Sequence, residues 1–204
     1  MVGRSIRKLF VEGGGDSSES LRTECRRGFR KLLEKAGLKG RMPRIVPCGG
    51  RRNAYEQFCT ALANGETDSV LLVDAESKVV RESQWRHIAE READGWRKPP
   101  QATDEHLHFM TECMESWFLS DKSALSRFFG NGFNVKALPA NPDIEQVPKR
   151  DVLRGLETAS KNTTKGVYGK GAHSFKILAE IDPEKLRDSA PGAAKLLKHL
   201  KETY

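Results

Sequence analysis

The chain has 204 residues, of which 37% are hydrophobic and 31% charged, a balance that suits one globular domain with a heavily charged surface. No apolar run approaches the roughly 20 residues that span a bilayer, and the apolar stretch near the N-terminus is too short for a signal-peptide core, so an integral membrane protein is excluded. Lys and Arg number 35 against 28 Asp and Glu, a formal charge of +7 that favours anionic partners, nucleic acid first.

Ile6 to Val11 reads as a short strand, broken at Glu12-Gly13-Gly14-Gly15-Asp16. Asp16 or Ser17 then caps a helix carrying Leu21, Cys25, Phe29, Leu32, Leu33 and Ala36 on one side, with Gly37 as its stop. The other side is basic: Arg22, Arg26, Arg27, Arg30, Lys31 and Lys35. Pro43 to Pro47 is a second strand, and a second helix runs from about Asn53 to Asn64 and ends at Gly65. Ser69 to Val73 is continuously apolar, as expected for a strand covered on both faces. The order βαβαβ predicts an α/β fold with a mostly parallel, Rossmann-like central sheet.

Further along, a helix is expected near Glu82 to Ala93, a fourth strand at Leu107 to Met110, and helical turns from Thr111 to Phe118 and from Asp121. Gly130 to Pro148 is loop-rich, and short helices follow, ending in a basic amphipathic helix around Ala193 to Glu202. This divides the chain into an α/β core over 1–130, with 78–104 as an insertion or lid-like segment, and a mostly helical extension over 131–204 packed on that core. Cys25, Cys48, Cys59 and Cys113 form no C-x-x-C pair and have no zinc-finger spacing to His, which predicts buried thiols in a reducing cytoplasm.

The informative residues are acidic. Glu12 closes the first strand, and Asp74 and Glu76 close the third. In a parallel sheet all carboxyl ends lie on one edge, where ligands bind. The Asp-x-Glu spacing in extended backbone points both carboxylates to one side. Clustered carboxylates repel unless a cation neutralises them, and hard oxygen donors suit Mg²⁺ or Mn²⁺. Gly13, Gly14 and Gly15 let the backbone approach a phosphate closely at a helix N-terminus, although neither a Walker loop nor a full G-x-G-x-x-G is present. Each of these residues also has an ordinary reading as a strand end, a cap or a solvated turn.

Val11-Glu12-Gly13-Gly14-Gly15-Asp16 resembles the first Toprim signature, and Leu71-Leu72-Val73-Asp74-Ala75-Glu76 the second. Toprim domains occur in topoisomerases, bacterial primases and OLD-family nucleases. More closely, the chain resembles a small stand-alone Toprim-like family of bacteria, a domain of unknown function found beside ABC- or OLD-type ATPases in mobile or phage-defence settings. Its further hallmarks are similar to Cys113-Met114-Glu115-Ser116-Trp117-Phe118-Leu119-Ser120-Asp121 and Gly171-Ala172-His173-Ser174-Phe175-Lys176, so the resemblance spans most of the chain. One departure is that the second motif is Asp-x-Glu where Toprim domains carry Asp-x-Asp; Glu is one methylene longer.

The resemblance implies a cytoplasmic Mg²⁺- or Mn²⁺-dependent nuclease acting on DNA or on RNA such as tRNA. It also implies an ATPase partner in anti-phage defence, and leaves a homo-oligomer open. Asp74 and Glu76 would hold the ion, with Glu12 as acid/base or second ligand and Asp16 as a further ligand or a helix cap. Glu115 would reach the site from its helix or pair with an Arg of the basic helix. Lys78, Lys170, His173 and Lys176 are candidates to neutralise a phosphate, as are Arg51 and Arg52, and each also fits a solvated surface role. His106 and His108 alternate on a strand, as a metal pair or as packing residues, and Trp85, Trp96 and Trp117 stack bases or fill the core. A degenerate Toprim-like module binding nucleic acid or an ATPase is the alternative, and a nucleotide-binding α/β enzyme using Gly13 to Gly15 is a third reading.

Overall fold

The computed structural model describes residues 7–16, 18–79 and 83–202. Ile6, Ser17 and Glu82, to which the sequence assigns a strand start, an alternative cap and a helix start, lie outside them. Four parallel strands, β1 (Lys8–Val11), β2 (Arg44–Pro47), β3 (Val70–Asp74) and β4 (Leu107–Met110), form one sheet in the order β2-β1-β3-β4. Strand alternation sorts the core into two layers. Leu9, Val11, Val70, Leu72 and Met110 face one apolar cluster, while Phe10, Leu71, Val73, Leu107 and Phe109 face the other. The chain therefore has the α/β, Rossmann-like architecture expected from its βαβαβ order.

The second layer is built from α2 (Arg51–Ala63) and the short α3 (Gln84–Ala89). Trp85, Ile88 and Trp96 fill it, so the 78–104 segment contributes to the core. The helix expected up to Ala93 stops at Ala89, because the chain turns there and delivers Asp94 to Arg51.

The first layer holds α1 (Glu19–Leu33) and the C-terminal helices α4 (Lys122–Phe129), α5 (Lys149–Ser160), α6 (Lys170–Glu180), α7 (Pro183–Ser189) and α8 (Pro191–Glu202). Their apolar residues belong to the same cluster as those of β1 and β3. The approach of α1 to α6 depends on Gly28, where a Cβ would lie 2.6 Å from the Phe175 carbonyl oxygen. Lys35, expected on the open basic face, instead donates from Nζ to the carbonyls of Ala179 at 2.7 Å and Glu180 at 3.0 Å, capping the C-terminal end of α6.

Two local expectations change. The cap of α1 is Ser18, whose side chain accepts from the Leu21 amide at 3.2 Å. The helical start expected at Thr111 gives way to a bend at Thr111 and Glu112, followed by a 3-10 segment from Met114 to Asp121. No helix among the described residues is long and apolar enough to cross a membrane.

Candidate metal centre

After β1 the chain runs to β2 on one side, then returns to β3 on the other side of β1. The carboxyl ends of β1 and β3 thus form the switch point of the sheet, where loops diverge and leave a crevice. Glu12 and Asp74 sit at those two ends.

The glycine loop is stapled in place. Gly13 and Gly49 exchange two backbone hydrogen bonds of 2.8 Å. Gly14 has φ +89°, and a Cβ there would meet Pro47 Cβ at 3.0 Å and Arg22 Cα at 3.2 Å. Asp16 completes the staple, since its Oδ1 accepts from the Gly50 amide at 2.7 Å and from Asn53 Nδ2 at 3.3 Å. Its carboxylate therefore serves the N-terminus of α2 and stands outside the acidic group described next, because α2's unpaired amides are stronger local partners than another carboxylate.

Glu12, Asp74 and Glu76 converge: each offers an oxygen, and these oxygens lie within 4.8 Å of one another. Glu12 Oε2 accepts from the Asp74 amide at 3.0 Å, and Asp74 Oδ1 accepts from the Met114 amide at 2.9 Å. The convergence does not come from strand alternation, as the spacing suggested. β3 ends at Asp74, and Glu76 turns with φ +60°. Its amide donates to the carbonyl of Glu112 at 3.1 Å, and Glu112 itself has φ +59°. Two non-glycine residues in the left-handed region, tied to each other, are a costly arrangement of the kind found at binding sites.

Burial, then the charges of Glu12 and Glu115, push the Asp74 carboxyl up to about 8. Burial also raises Glu12, against the lowering effect of Arg51. Among the described residues, three cations surround the acids. Arg51 lies 3.6 Å from Glu12 Oε2, and its guanidinium also donates to the Asp74 carbonyl. It is fixed by two 2.9 Å bonds to Asp94 and by Trp96, whose ring centre lies 4.7 Å away and which stacks on Tyr55. Lys149 Nζ donates to Glu76 Oε2 at 2.5 Å and lies 3.9 Å from Asp74 Oδ2. Lys170 Nζ lies 3.4 Å from Glu115 Oε2.

A cleft of about 240 Å³ opens beside these groups, lined by Glu12, the three glycines, Asp74, Glu115 and the first turn of α6. Glu115 is 2% exposed. Its Oε1 accepts from the Tyr168 hydroxyl at 3.0 Å, and its Oε2 accepts no hydrogen bond. It does not pair with the basic face of α1. Glu115, whose Oε2 is approached by the Lys170 ammonium, lines the same cleft as Glu12 and Asp74, and carboxylates gathered in this way fit a divalent cation with oxygen ligands.

Other expected residues lie elsewhere. His173 turns into an aromatic group, with ring centres 5.4 Å from Phe129 and 5.9 Å from Phe128, and its Nδ1 accepts from the Gly169 amide at 3.1 Å. Lys78 and Lys176 are exposed, and neither lines the cleft. Asp121 caps α4 and binds Lys185 at 2.8 Å. Trp85, Trp96 and Trp117 are all buried, which removes them as open stacking platforms.

Sequence reasoning overlooked Lys149, Glu112 and Tyr168. Lys149 is 73 residues from its partner Glu76 and belongs to no recognisable motif. Its one local signal is the preceding Pro148, which marks a helix start without showing where that start points.

His106 and His108 do not form a pair. His106 ends a 3-10 turn, with Nδ1 accepting from the Thr103 amide at 2.9 Å. His108 instead joins Glu105 and His199 in a second three-ligand group at the opposite end of the sheet. Burial, with His199 beside it, lowers His108 to about 3, and Arg7 Nη2 lies 3.4 Å from His199 Nε2.

No curated protein and no solved structure matches the chain. The profile of one family, described as a domain of unknown function (DUF4276), matches residues 11–201. That match runs from the last residue of β1 to the last helix and takes in every residue of the acidic group, so the chain belongs to the DUF4276 family.

Proposed function

We propose that the chain is a Mg²⁺- or Mn²⁺-dependent phosphodiester hydrolase acting on DNA or RNA. The observation that carries this reading is the convergence of Glu12, Asp74 and Glu76 at the switch point, beside a cleft that the buried Glu115 also lines. Glu12, Asp74 and Glu76 would hold the ion, and Glu115 lines the same cleft. When bound, the ion would polarise a phosphodiester and lower the pKa of water.

The chain's own groups supply the rest. Burial raises the Glu12 carboxyl in the ion-free chain, and a bound cation would lower it again and favour the carboxylate that serves as a ligand. The amide of Asp74 and the guanidinium of Arg51 fix its orientation. Lys170, half exposed at the N-terminus of α6, offers a positive charge to a phosphate at the cleft mouth. The basic side of α1 is weaker support than its sequence suggests. Arg26, Arg27, Arg30 and Lys31 already pair with Glu19, Glu24 and Glu34, although such exposed pairs are readily exchanged for phosphates.

A second reading has one observation in its favour. Lys149 neutralises Glu76 and approaches Asp74 without any ion, as a metal-free module binding nucleic acid or an ATPase would require. Incubation of DNA and tRNA with the wild-type chain and with Asp74→Asn, in Mn²⁺ or EDTA, with and without an ABC- or OLD-type ATPase, separates the two. Cleavage by the wild type alone, and only with the ion, supports the hydrolase. Binding without cleavage under every condition supports the module.

A further inference from the structure

We infer that Lys149 is the exchangeable counter-ion of the carboxylate group: its ammonium holds the place of the divalent cation and must leave Glu76 before the ion can bind. This rests on the reading of Glu12, Asp74 and Glu76 as ion ligands.

The three cations around the acids differ in how they are held. Arg51 cannot move without breaking two bonds to Asp94, its bond to the Asp74 carbonyl and its contact with Trp96. Lys170 pairs with Glu115, at 3.4 Å. Lys149 is the cation whose ammonium reaches both Asp74 and Glu76, two of the three candidate ligands. A divalent ion bound by those carboxylates would lie within about 4 Å of that ammonium, where like charges repel. The ammonium and the ion therefore exclude each other.

The backbone is arranged for that exchange. Lys149 is the first residue of α5, and its amide donates to Glu112 Oε2 at 3.1 Å, so the helix start stays fixed while the side chain moves. The Lys149 side chain is 28% exposed, which leaves its flexible four-carbon stem a way out to solvent. Lys149 also joins the two left-handed residues, holding Glu112 with its amide and Glu76 with its ammonium. Without an ion the lysine keeps both turns in place and relieves the repulsion among the acids. With an ion it is released toward the solvent side.

Two measurements on the full chain test this. The first is amine labelling by reductive methylation, read at Lys149 by peptide mass spectrometry with and without Mn²⁺. Exchange predicts that labelling of Lys149 rises severalfold when Mn²⁺ binds. The second is calorimetric Mn²⁺ titration of wild type, Lys149→Met and Lys170→Met. A lysine that occupies the site nine-tenths of the time reduces apparent affinity roughly tenfold, so Lys149→Met should bind about tenfold tighter. Lys170→Met removes the same charge nearby and should gain much less. Mn²⁺ binding with unchanged or reduced labelling of Lys149, or equal gains in both variants, would overturn the exchange while leaving the ion site standing. Binding by Lys149→Met alone would support it in its strongest form. No binding by either protein would overturn both this inference and the hydrolase reading.

Discussion

The two ends of the sheet each gather three potential metal ligands, and they are built on opposite terms. At the carboxyl end, Glu12, Asp74 and Glu76 meet beside a cleft, and the cation touching two of them is a partly exposed lysine. At the amino end, Glu105, His108 and His199 lie under a buried arginine, Arg7, which already bonds the carbonyl of His199 at 3.4 Å. His108 there is neutral and packed on His199, with ring centres 5.3 Å apart. Ligand count alone does not make a metal site. At the carboxyl end the buried acids repel one another and the cation that reaches two of them is partly exposed, whereas at the amino end the cation is buried and two of the three ligands are imidazoles.

The largest expected effect tests that contrast directly. Glu12→Gln keeps volume and loses charge, so cleavage should fall by roughly 10²-fold or more while nucleic-acid affinity survives. Glu105→Gln at the other end should leave cleavage unchanged. A cleavage assay giving equal losses for both would erase the distinction.

Asp74→Asn should stabilise the ion-free protein. The native carboxyl is raised to about 8, above its unfolded value. Between the ordinary carboxylate range and pH 8 the native state therefore keeps a proton that the unfolded state gives up, and stability falls as pH rises through that window. Asparagine removes the penalty and still accepts from the Met114 amide. At pH 8 without ions the variant should melt several degrees higher, each kcal/mol being worth roughly 2–4 °C in a chain of this size. The rise in Tm that Mn²⁺ gives the wild type should vanish. A variant that melts lower at pH 8 would mean the acids are not in conflict.

Gly28→Ala asks whether α6 is part of the site's frame. The new methyl would press on the Phe175 carbonyl at 2.6 Å, at the heart of the α1–α6 contact. Unfolding in urea should show a loss of about 1–3 kcal/mol, and Mn²⁺ affinity should drop with it as the cleft wall shifts. An unchanged midpoint would show that α6 docks loosely.

His108→Leu probes the amino end. His108 is held at about 3, well below its unfolded value, so the unfolded state binds the extra proton as pH falls from about 6.5. Stability is thus complete above that range and is lost toward acid, by about 1.4 kcal/mol per pH unit. The variant should flatten this slope between pH 6 and 4 and leave Mn²⁺ binding intact. The smallest effect is expected at Arg26→Glu/Arg30→Glu, which should change stability by no more than about 0.5 kcal/mol. If α1 tracks a duplex, each lost phosphate contact should reduce the salt slope of binding by roughly 0.9.

Much of the frame was readable from local chemistry. β4 falls on the expected residues, and β3 is shifted by one. An uninterrupted apolar run can only be covered on both faces, and Asn64-Gly65 ends α2 as its turn chemistry requires, with Gly65 at φ +81°. Glu12 and Asp74 were legible because residues that close parallel strands share one edge; Glu76 was named with them, but a left-handed turn beyond the strand places it. Asp16 and His173 were not, because their side chains are claimed by partners distant in sequence or by ring packing that no periodicity encodes.

By itself, then, the sequence determined the strand order's raw material, the acidic group and its place at the sheet edge, since each depends on neighbours within a few residues or on a rule common to parallel sheets. Only the tertiary structure decided how those acids are neutralised. Lys149, Arg51 and Lys170 come from the starts of three different helices, and Glu76 reaches its partners through a left-handed turn. Charge pairing across 73 residues follows from where helix N-termini are packed, and that is fixed by close contacts such as Gly28 against Phe175 rather than by the identity of the charged residues.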